Sequence, residues 1–350
     1  MHDLVEEMGK HIVIQESPND PSKRSRLRGY EDINLVLTQN KVNETTHSIV
    51  SFNMDFCEEQ YTMRWRDLTF SNICQLKLLI LNGVQAPILS YVPCSLRVLR
   101  WRYCPMETLP FMDQYYELVQ ISVSRSYSIV QVWHGKKFLQ KLKYLDLSGC
   151  RWLKQIPDLS EAANLEILKV VCCKELNDFP SYLTCHKSLV ELSLRGCSSL
   201  ETFGSKLEMS TLKELDLSGC RHMRKLPEFG ECMKHLSFLS LSNTAIEELP
   251  TTVGYLVGLR ELHLAHCKRL TCLPDSIQKL KSLTFFDLSD SPNVLQCLYS
   301  LFGLTSLDTL RLSACFLTSQ ESWSFNVGNL VFDGFGFIRK QFCKDSNKYP

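Results

Sequence analysis

Nowhere in this chain do about eighteen apolar residues run together, the length a membrane-crossing helix needs, so no such span is expected. An excess of charge is missing too, since 39 Lys and Arg stand against 38 Asp and Glu for a formal +1. No strong field of either sign then points to nucleic acid or an anionic membrane as a partner. The opening residues MHDLVEEMGK carry acids where a secretory signal has a basic end and an apolar run. Glycosylation sequons are scarce: Asn43-Glu44-Thr45 is the one present, where a large extracellular repeat protein commonly has several. The 16 cysteines include no CxxC pair, which removes a usual spacing of zinc and dithiol sites and leaves reduced thiols as the expectation. A soluble protein of the cytoplasm, or of cytoplasm and nucleus, follows from these absences. Its 350 residues, 44% of them hydrophobic, are ample for a large buried core.

What the chain does have is a repeat. Apolar residues spaced L-x-x-L-x-L stand at Leu142, Leu145 and Leu147, and the pattern recurs through Leu307, Leu310 and Leu312 with first positions advancing by 23 or 24 residues. Two looser units precede these, at Leu96, Leu99, Trp101 and at Leu118, Ile121, Val123, making ten in all. The second and third apolar residues are two apart, so they face one side of a short strand, while the first enters from the preceding bend. One unit alone leaves that side wet, and stacking units in parallel buries it against like neighbours. The expected fold is α/β: a curved leucine-rich-repeat solenoid with parallel strands on the concave face and short helices or turns on the convex face.

Three residues past the last strand position comes Cys104, Cys150, Cys173, Cys197, Cys220, Thr244, Cys267 or Cys315. In a stack these form an internal ladder, where a thiol packs as a small hydrophobe and donates weakly to a carbonyl. Each unit then often reaches an apolar-proline pair, as in Phe179-Pro180, Leu249-Pro250 and Leu273-Pro274. Proline lacks an amide donor and suits the convex side, where Asp275 to Leu280 are placed to start a short helix. At the amino end, Met1, Leu4, Val5 and Met8 share a helical face, with Gly9 expected to stop the helix. Ile12, Val13 and Ile14 then read as a strand, Pro18-Asn19-Asp20-Pro21 as a turn, and Lys23, Arg24 and Arg26 as a basic edge.

Residues 1–27, MHDLVEEMGKHIVIQESPNDPSKRSRL, resemble the end of the winged-helix subdomain of plant intracellular disease-resistance proteins, of the class that joins a Toll/interleukin-1-receptor domain, a nucleotide-binding domain and leucine-rich repeats. Glu31-Asp32-Ile33, Val36-Leu37, Trp133-His134-Gly135 and the Leu-Ser-Gly-Cys units at 147 and 217 extend the likeness. It implies four regions: 1–40, the winged-helix end with the Met-His-Asp motif; 41–94, a joining segment and solenoid cap; 95–315, the repeats; and 316–350, a degenerate segment. Beyond Cys315 no closing unit is identified; either Phe325, Val327, Leu330 and Phe332 fold over that end or the chain is a fragment, the reading favoured here. The resemblance also implies recognition of a pathogen protein or a guarded host protein, restraint of a nucleotide switch, and a place near the phosphates of ADP for His2, supported by Asp3. No GxxxxGK[ST] loop is present, so no cofactor is expected in this chain itself; ADP or ATP belongs to the class's nucleotide-binding domain.

Outward concave positions fall in rows across successive strands. One row holds Tyr144, Ile167, Glu191, Glu214, Phe238, Glu261, Phe285 and Thr309; the next holds Asp146, Lys169, Ser193, Asp216, Ser240, His263, Asp287 and Arg311. Asp146 is expected to face Lys169, and Asp287 to face Arg311. What remains is an acid cluster of Glu191, Glu214 and Asp216 flanked by Tyr144, Phe238 and Phe285, with His263 among them, a candidate surface for a protein ligand or for the nucleotide-binding domain. No catalytic or metal site is expected. His235, His263 and His266 lie near Cys232 and Cys267 in sequence, but Cys267 is a ladder residue and a buried thiol is inert. The alternative is an adaptor of another class, a ubiquitin-ligase substrate receptor or an extracellular receptor domain.

Overall fold

The computed structural model describes residues 2–38, 49–55, 63–64, 68–69, 73–85, 89–110, 115–294, 301, 303–312, 326–327, 330–331 and 337–339. It divides into two compact units, Met1–Lys174 and Glu175–Pro350. Each is a stack of coils whose short strands pair in parallel.

In the first unit, helix α1 (His2–Glu16) leads through a 3-10 turn (Pro21–Lys23) to strand β1 (Arg26–Arg28) and helix α2 (Tyr30–Thr38). Strands β2 (Ser51–Asp55), β3 (Leu78–Asn82), β4 (Val98–Arg100), β5 (Gln120–Ser122), β6 (Tyr144–Asp146) and β7 (Ile167–Lys169) follow, each parallel to the one before it. In the second unit, β8 (Glu191–Ser193), β9 (Glu214–Asp216), β10 (Phe238–Ser240), β11 (Glu261–His263), β12 (Phe285–Asp287) and β13 (Thr309–Arg311) repeat the arrangement. Strand β14 (Phe337–Arg339) then pairs antiparallel with β13, so the segment where no closing unit was identified supplies a strand at the sheet's edge. Val327 and Leu330 pair in a separate two-stranded hairpin; Phe325 and Phe332 lie outside the described residues. The expected apolar triads are buried throughout. Two further triads, Ile49-Phe52-Met54 and Leu76-Leu79-Leu81, are buried in the same way and lie in the stretch taken for a joining segment. Prolines 180, 250 and 274 open the 3-10 turns Ser181–Cys185, Thr251–Tyr255 and Asp275–Lys279, each accepting the amide of the residue three positions on.

Helix α1 departs from expectation. It runs through Gly9 and includes Ile12, Val13 and Ile14. An interior glycine costs only about 1 kcal/mol, and three consecutive apolar residues do not distinguish strand from helix. The stop lies instead at Ser17-Pro18, since a proline disfavours helical backbone in the residue before it. Val5, Met8 and Ile12 are 68%, 58% and 62% exposed, so the predicted apolar face exists but is not covered here. Arg24, expected on a basic edge, is buried. Its guanidinium donates to the carbonyls of Ser17 (2.9 Å) and Pro18 (3.0 Å) and to Asp32 Oδ2 (2.6 Å), fastening the exit of α1 to α2.

The ladder has a defined task. In several coils the carbonyl of the third apolar residue accepts the amide of its own turn or a side chain from the next coil, or both. Thus Leu147 O takes Cys150 N (3.2 Å) and Cys173 Sγ (3.2 Å), whereas Thr244 Oγ1 donates within its own coil, to Leu241 O at 2.7 Å. Cys150 Sγ reaches Val123 O at 3.3 Å, Cys220 Sγ reaches Leu194 O at 3.3 Å and Cys267 Sγ reaches Leu241 O at 3.2 Å. Ser126 and Ser291 occupy the same step, donating to Trp101 O (3.4 Å) and Leu264 O (2.8 Å), although the sequence reading counted only Cys and Thr there. Cys315 lies outside the described residues. The residue before each step is left-handed: Tyr103, Arg125, Cys172, Asn243, His266 and Asp290 have φ between 56° and 61°, and Gly149, Gly196 and Gly219 between 74° and 79°. That backbone turns its amide toward the following coil, as in Gly149 N to Val171 O (2.6 Å) and His266 N to Ser289 O (2.7 Å).

Burial pushes the thiols of Cys104 and Cys150 up from 9.0 to about 12. An unfolded thiol sheds its proton first, so their contribution is whole below pH 9 and is lost progressively as the pH rises from 9 toward 12. Denaturation across that range should show a shallower decline for Cys150→Ser than for the parent. At pH 7, Cys150→Ser should unfold within about 1 kcal/mol of the parent because serine keeps the bond, whereas Cys150→Ala should lose about 1–2 kcal/mol. Arg24→Lys, unable to reach three acceptors in one plane, should cost about 1–3 kcal/mol and speed amide exchange in β1 and α2.

Candidate protein-binding face

On the strand face of the second unit the pairing sets Glu191 beside Glu214, Glu214 beside Phe238, Phe238 beside Glu261, and Glu261 beside Phe285. The next row sets Asp216 beside Ser240, Ser240 beside His263 and His263 beside Asp287. Side chains diagonal to one another on neighbouring strands then come within reach. His263 lies between two phenyl rings, with centroids 5.1 Å from Phe238 and 4.9 Å from Phe285. Its Nε2 is 3.2 Å from Glu261 Oε2, and the Arg311 guanidinium sits 4.9 Å from the Phe285 centroid. Four strands thereby contribute one continuous strip, Phe238–His263–Phe285–Arg311, edged by the exposed carboxylates of Glu214 and Glu261. The three rings are half-buried, while Ser240, though outward-facing, is buried.

The strip and the expected acid cluster differ in membership. Asp216 is not a free acid: its Oδ1 accepts from Ser218 N (2.9 Å) and Ser218 Oγ (2.5 Å), closing the turn at the strand's end. Asp146 and Asp287 do the same for Ser148 N and Ser289 N, both at 2.9 Å. Asp146 faces Lys169 in register, as expected, yet its other oxygen accepts from Ser122 Oγ at 3.1 Å. Asp287 and Arg311 do pair, at 3.9 Å. Glu191 and Glu214 remain side by side in the first row. Tyr144 belongs to the first unit, where it is half-buried between Gln120 and Ile167 in register. Glu261 and Arg311 complete the strip, and the sequence signal for them was their row positions. The backbones of His2 and Asp3 form the first turn of α1; their side chains lie outside the described residues.

Cys267 does not assemble with a histidine. Burial raises the Cys267 thiol pKa, and that thiol is committed to Leu241 O. His266 Nδ1 lies 3.2 Å from Asp290 Oδ2, and His263 is occupied by Glu261 and the rings. Among the described residues no group of three or more His, Cys, Asp or Glu could hold a metal ion, and no helix is long and apolar enough to cross a membrane.

Two rings at about 5 Å should displace the His263 ring-proton resonances upfield. In a spectrum of selectively labelled histidines, Phe285→Leu should return them most of the way toward ordinary values. Unfolding free energy should change by less than about 1 kcal/mol, since the ring is already partly in solvent. An undisplaced His263 signal in the parent would contradict the stacked geometry.

Comparison with known proteins agrees with the coil architecture. Residues 181–330 match the family model described as a leucine-rich repeat region. In Arabidopsis thaliana, the disease resistance-like protein DSC2 is 32% identical over 187 residues, 52% of this chain and 15% of that protein. The disease resistance protein RPP5 is 34% identical over 188 residues (52% and 13%), and RPS6 is 35% identical over 191 residues (52% and 16%). The matched segment is thus under a fifth of each relative's length. Among solved structures, a leucine-rich-repeat protein of Leptospira interrogans superposes with a TM-score of 0.50 at 22% identity, over 76% of this chain and 67% of that one. A chain of the Drosophila Toll–Spätzle complex does so with a TM-score of 0.50 at 17% identity, over 77% and 40%. At those identities the structures speak for fold alone, and the sequence relatives say more. The chain has the leucine-rich-repeat fold, and over about half of its length it is similar to the plant disease-resistance proteins.

Proposed function

We propose that this chain is the recognition and regulatory region of a plant innate-immune receptor, with the Phe238–His263–Phe285 strip as the contact surface for a protein. The observation that carries this is the continuous ring line on an otherwise charged and polar strand face, within repeats similar to those of disease-resistance proteins. Rigid, partly exposed aromatics are the side chains that most often dominate binding energy, because they bury much area at little entropic cost. The ligand is a pathogen effector or a guarded host protein, and the same face restrains the receptor's nucleotide-binding domain until the ligand displaces it. The role is binding, not catalysis, and its setting is the cytoplasm.

ADP or ATP belongs to that partner domain. His2 and Asp3 are the residues of this chain that the resemblance would place near its phosphates. With no phosphate-cradling loop here, they do not form a nucleotide site by themselves.

The test is retention of the nucleotide-binding domain of a full-length plant relative on immobilised residues 1–350. The intact chain should retain it. Joint replacement of Phe238, Phe285 and Glu214 by alanine should weaken retention at least about tenfold, the consequence of losing two aromatic anchors. Equal retention by the triple variant, with an unchanged circular dichroism spectrum, would overturn the assignment of this face.

A further inference from the structure

We propose that the cleft between α1 and the first two strands binds a small amphipathic anion: an apolar, ring-sized body carrying an N–H or O–H donor and one acidic group. The cleft measures about 560 Å³, within the range of small-molecule sites, and its lining comes entirely from the first unit. Val5, Gly9 and Val13, four residues apart, present one side of α1 to it, and β1 and β2 supply Leu27, Ser51 and Asn53. Polar fastenings near each end of the helix set its width. Glu6 meets Arg28 at 2.6 Å, and Glu16 accepts from Ser25 Oγ at 2.8 Å. No apolar seat holds α1 between them, for none of its described side chains is buried.

Two observations point to a ligand. The first is an orphaned acceptor. Asn53 lines the cleft, and its Oδ1 is buried without a hydrogen-bond partner, a costly condition that a ligand's donor relieves. The second is a glycine that packing does not require. Gly9 lies inside α1, where glycine weakens a helix, yet a Cβ on it would meet no atom within 4 Å. Its lack of a side chain keeps the helix side of the cleft open.

The lining selects the ligand's chemistry. An apolar body covers Val5, Val13 and Ile14, whose exposure gains nothing from water. Arg24 is committed to Asp32 and Arg28 to Glu6, both at 2.6 Å, and Lys10 to Glu6 and Glu7. Arg26, exposed beside the cleft, makes no ion pair among the described residues, so its guanidinium fork is available to an acidic group. The site lies in the first unit and the ring strip in the second, so neither reading depends on the other.

The experiment is a fluorescence titration of residues 1–350 with 2-anilinonaphthalene-6-sulfonate, which joins fused rings, an N–H donor and one acidic group. Its uncharged counterpart, N-phenyl-2-naphthylamine, is titrated beside it. The sulfonate should bind at one site at least about tenfold more tightly than the uncharged dye, and Arg26→Gln should remove that difference. Asn53→Leu, similar in size but without the acceptor, should weaken both dyes at least about tenfold. Gly9→Leu should fill the cleft and abolish binding while raising the melting midpoint, since leucine is the better helix former. A merely sticky apolar surface would take up more dye after either leucine substitution. Dye binding that is absent in the parent, equal for the two dyes, or undiminished in Gly9→Leu and Asn53→Leu would overturn the proposal. The variant lacking Phe238, Phe285 and Glu214 should bind the sulfonate as the parent does; loss of binding there would place the dye on the ring strip and overturn it too.

Discussion

In many of the described coils the carbonyl at the end of the strand is buried, and the side chain that completes its hydrogen bonding belongs to the following coil. The pairs Val123 with Cys150, Leu147 with Cys173, Leu194 with Cys220, Leu241 with Cys267 and Leu264 with Ser291 are instances of one contact. An unsatisfied buried acceptor costs about 1–3 kcal/mol, so the stack tolerates few substitutes at this step: thiol or hydroxyl, each with a short reach. Coupling of this sort makes a coil stable only beside its neighbour, which is why stability in such arrays is a sum over adjacent pairs.

The same geometry decides where variation is free. Triad residues and ladder residues are inward and uniform, and the left-handed residue between them turns its amide toward the next coil. Outward strand positions answer to none of these demands. They carry Glu, Phe, His, Thr, Ser or Lys from coil to coil, and the ring strip arises because Phe238, His263 and Phe285 fall on diagonal positions of three consecutive strands.

Much of this was legible from spacing alone, because the 23- or 24-residue step and the two-residue strand period place each side chain inward or outward without further information. Reading failed where the step was irregular or the residue unusual. The triads Ile49-Phe52-Met54 and Leu76-Leu79-Leu81 begin 27 residues apart, and the next begins 20 later, so a fixed period passed over them. Ser126 and Ser291 stand at the ladder step without a cysteine to mark them, because the physical requirement there is only a short donor. Gly9 misled because a weak local propensity was taken as a stop, when the proline after Ser17 is the stronger constraint. The burial of Arg24 had no local signal, since its partners Ser17, Pro18 and Asp32 come from different elements.

Asp216 is the instructive error for function. In a flat list of outward acids it ranks with Glu191 and Glu214, but its row lies two residues nearer the strand's end. There a short carboxylate closes onto the amide two positions on, as Asp146 and Asp287 also do. Glutamate in the row before it stands farther from that amide, so its charge faces solvent. Charge on a repeat surface must therefore be weighed row by row, with the turn's own requirement subtracted first. After that subtraction the face retains Glu214 and Glu261 beside a line of rings, and the acids that looked most regular in sequence are the ones least available to a partner.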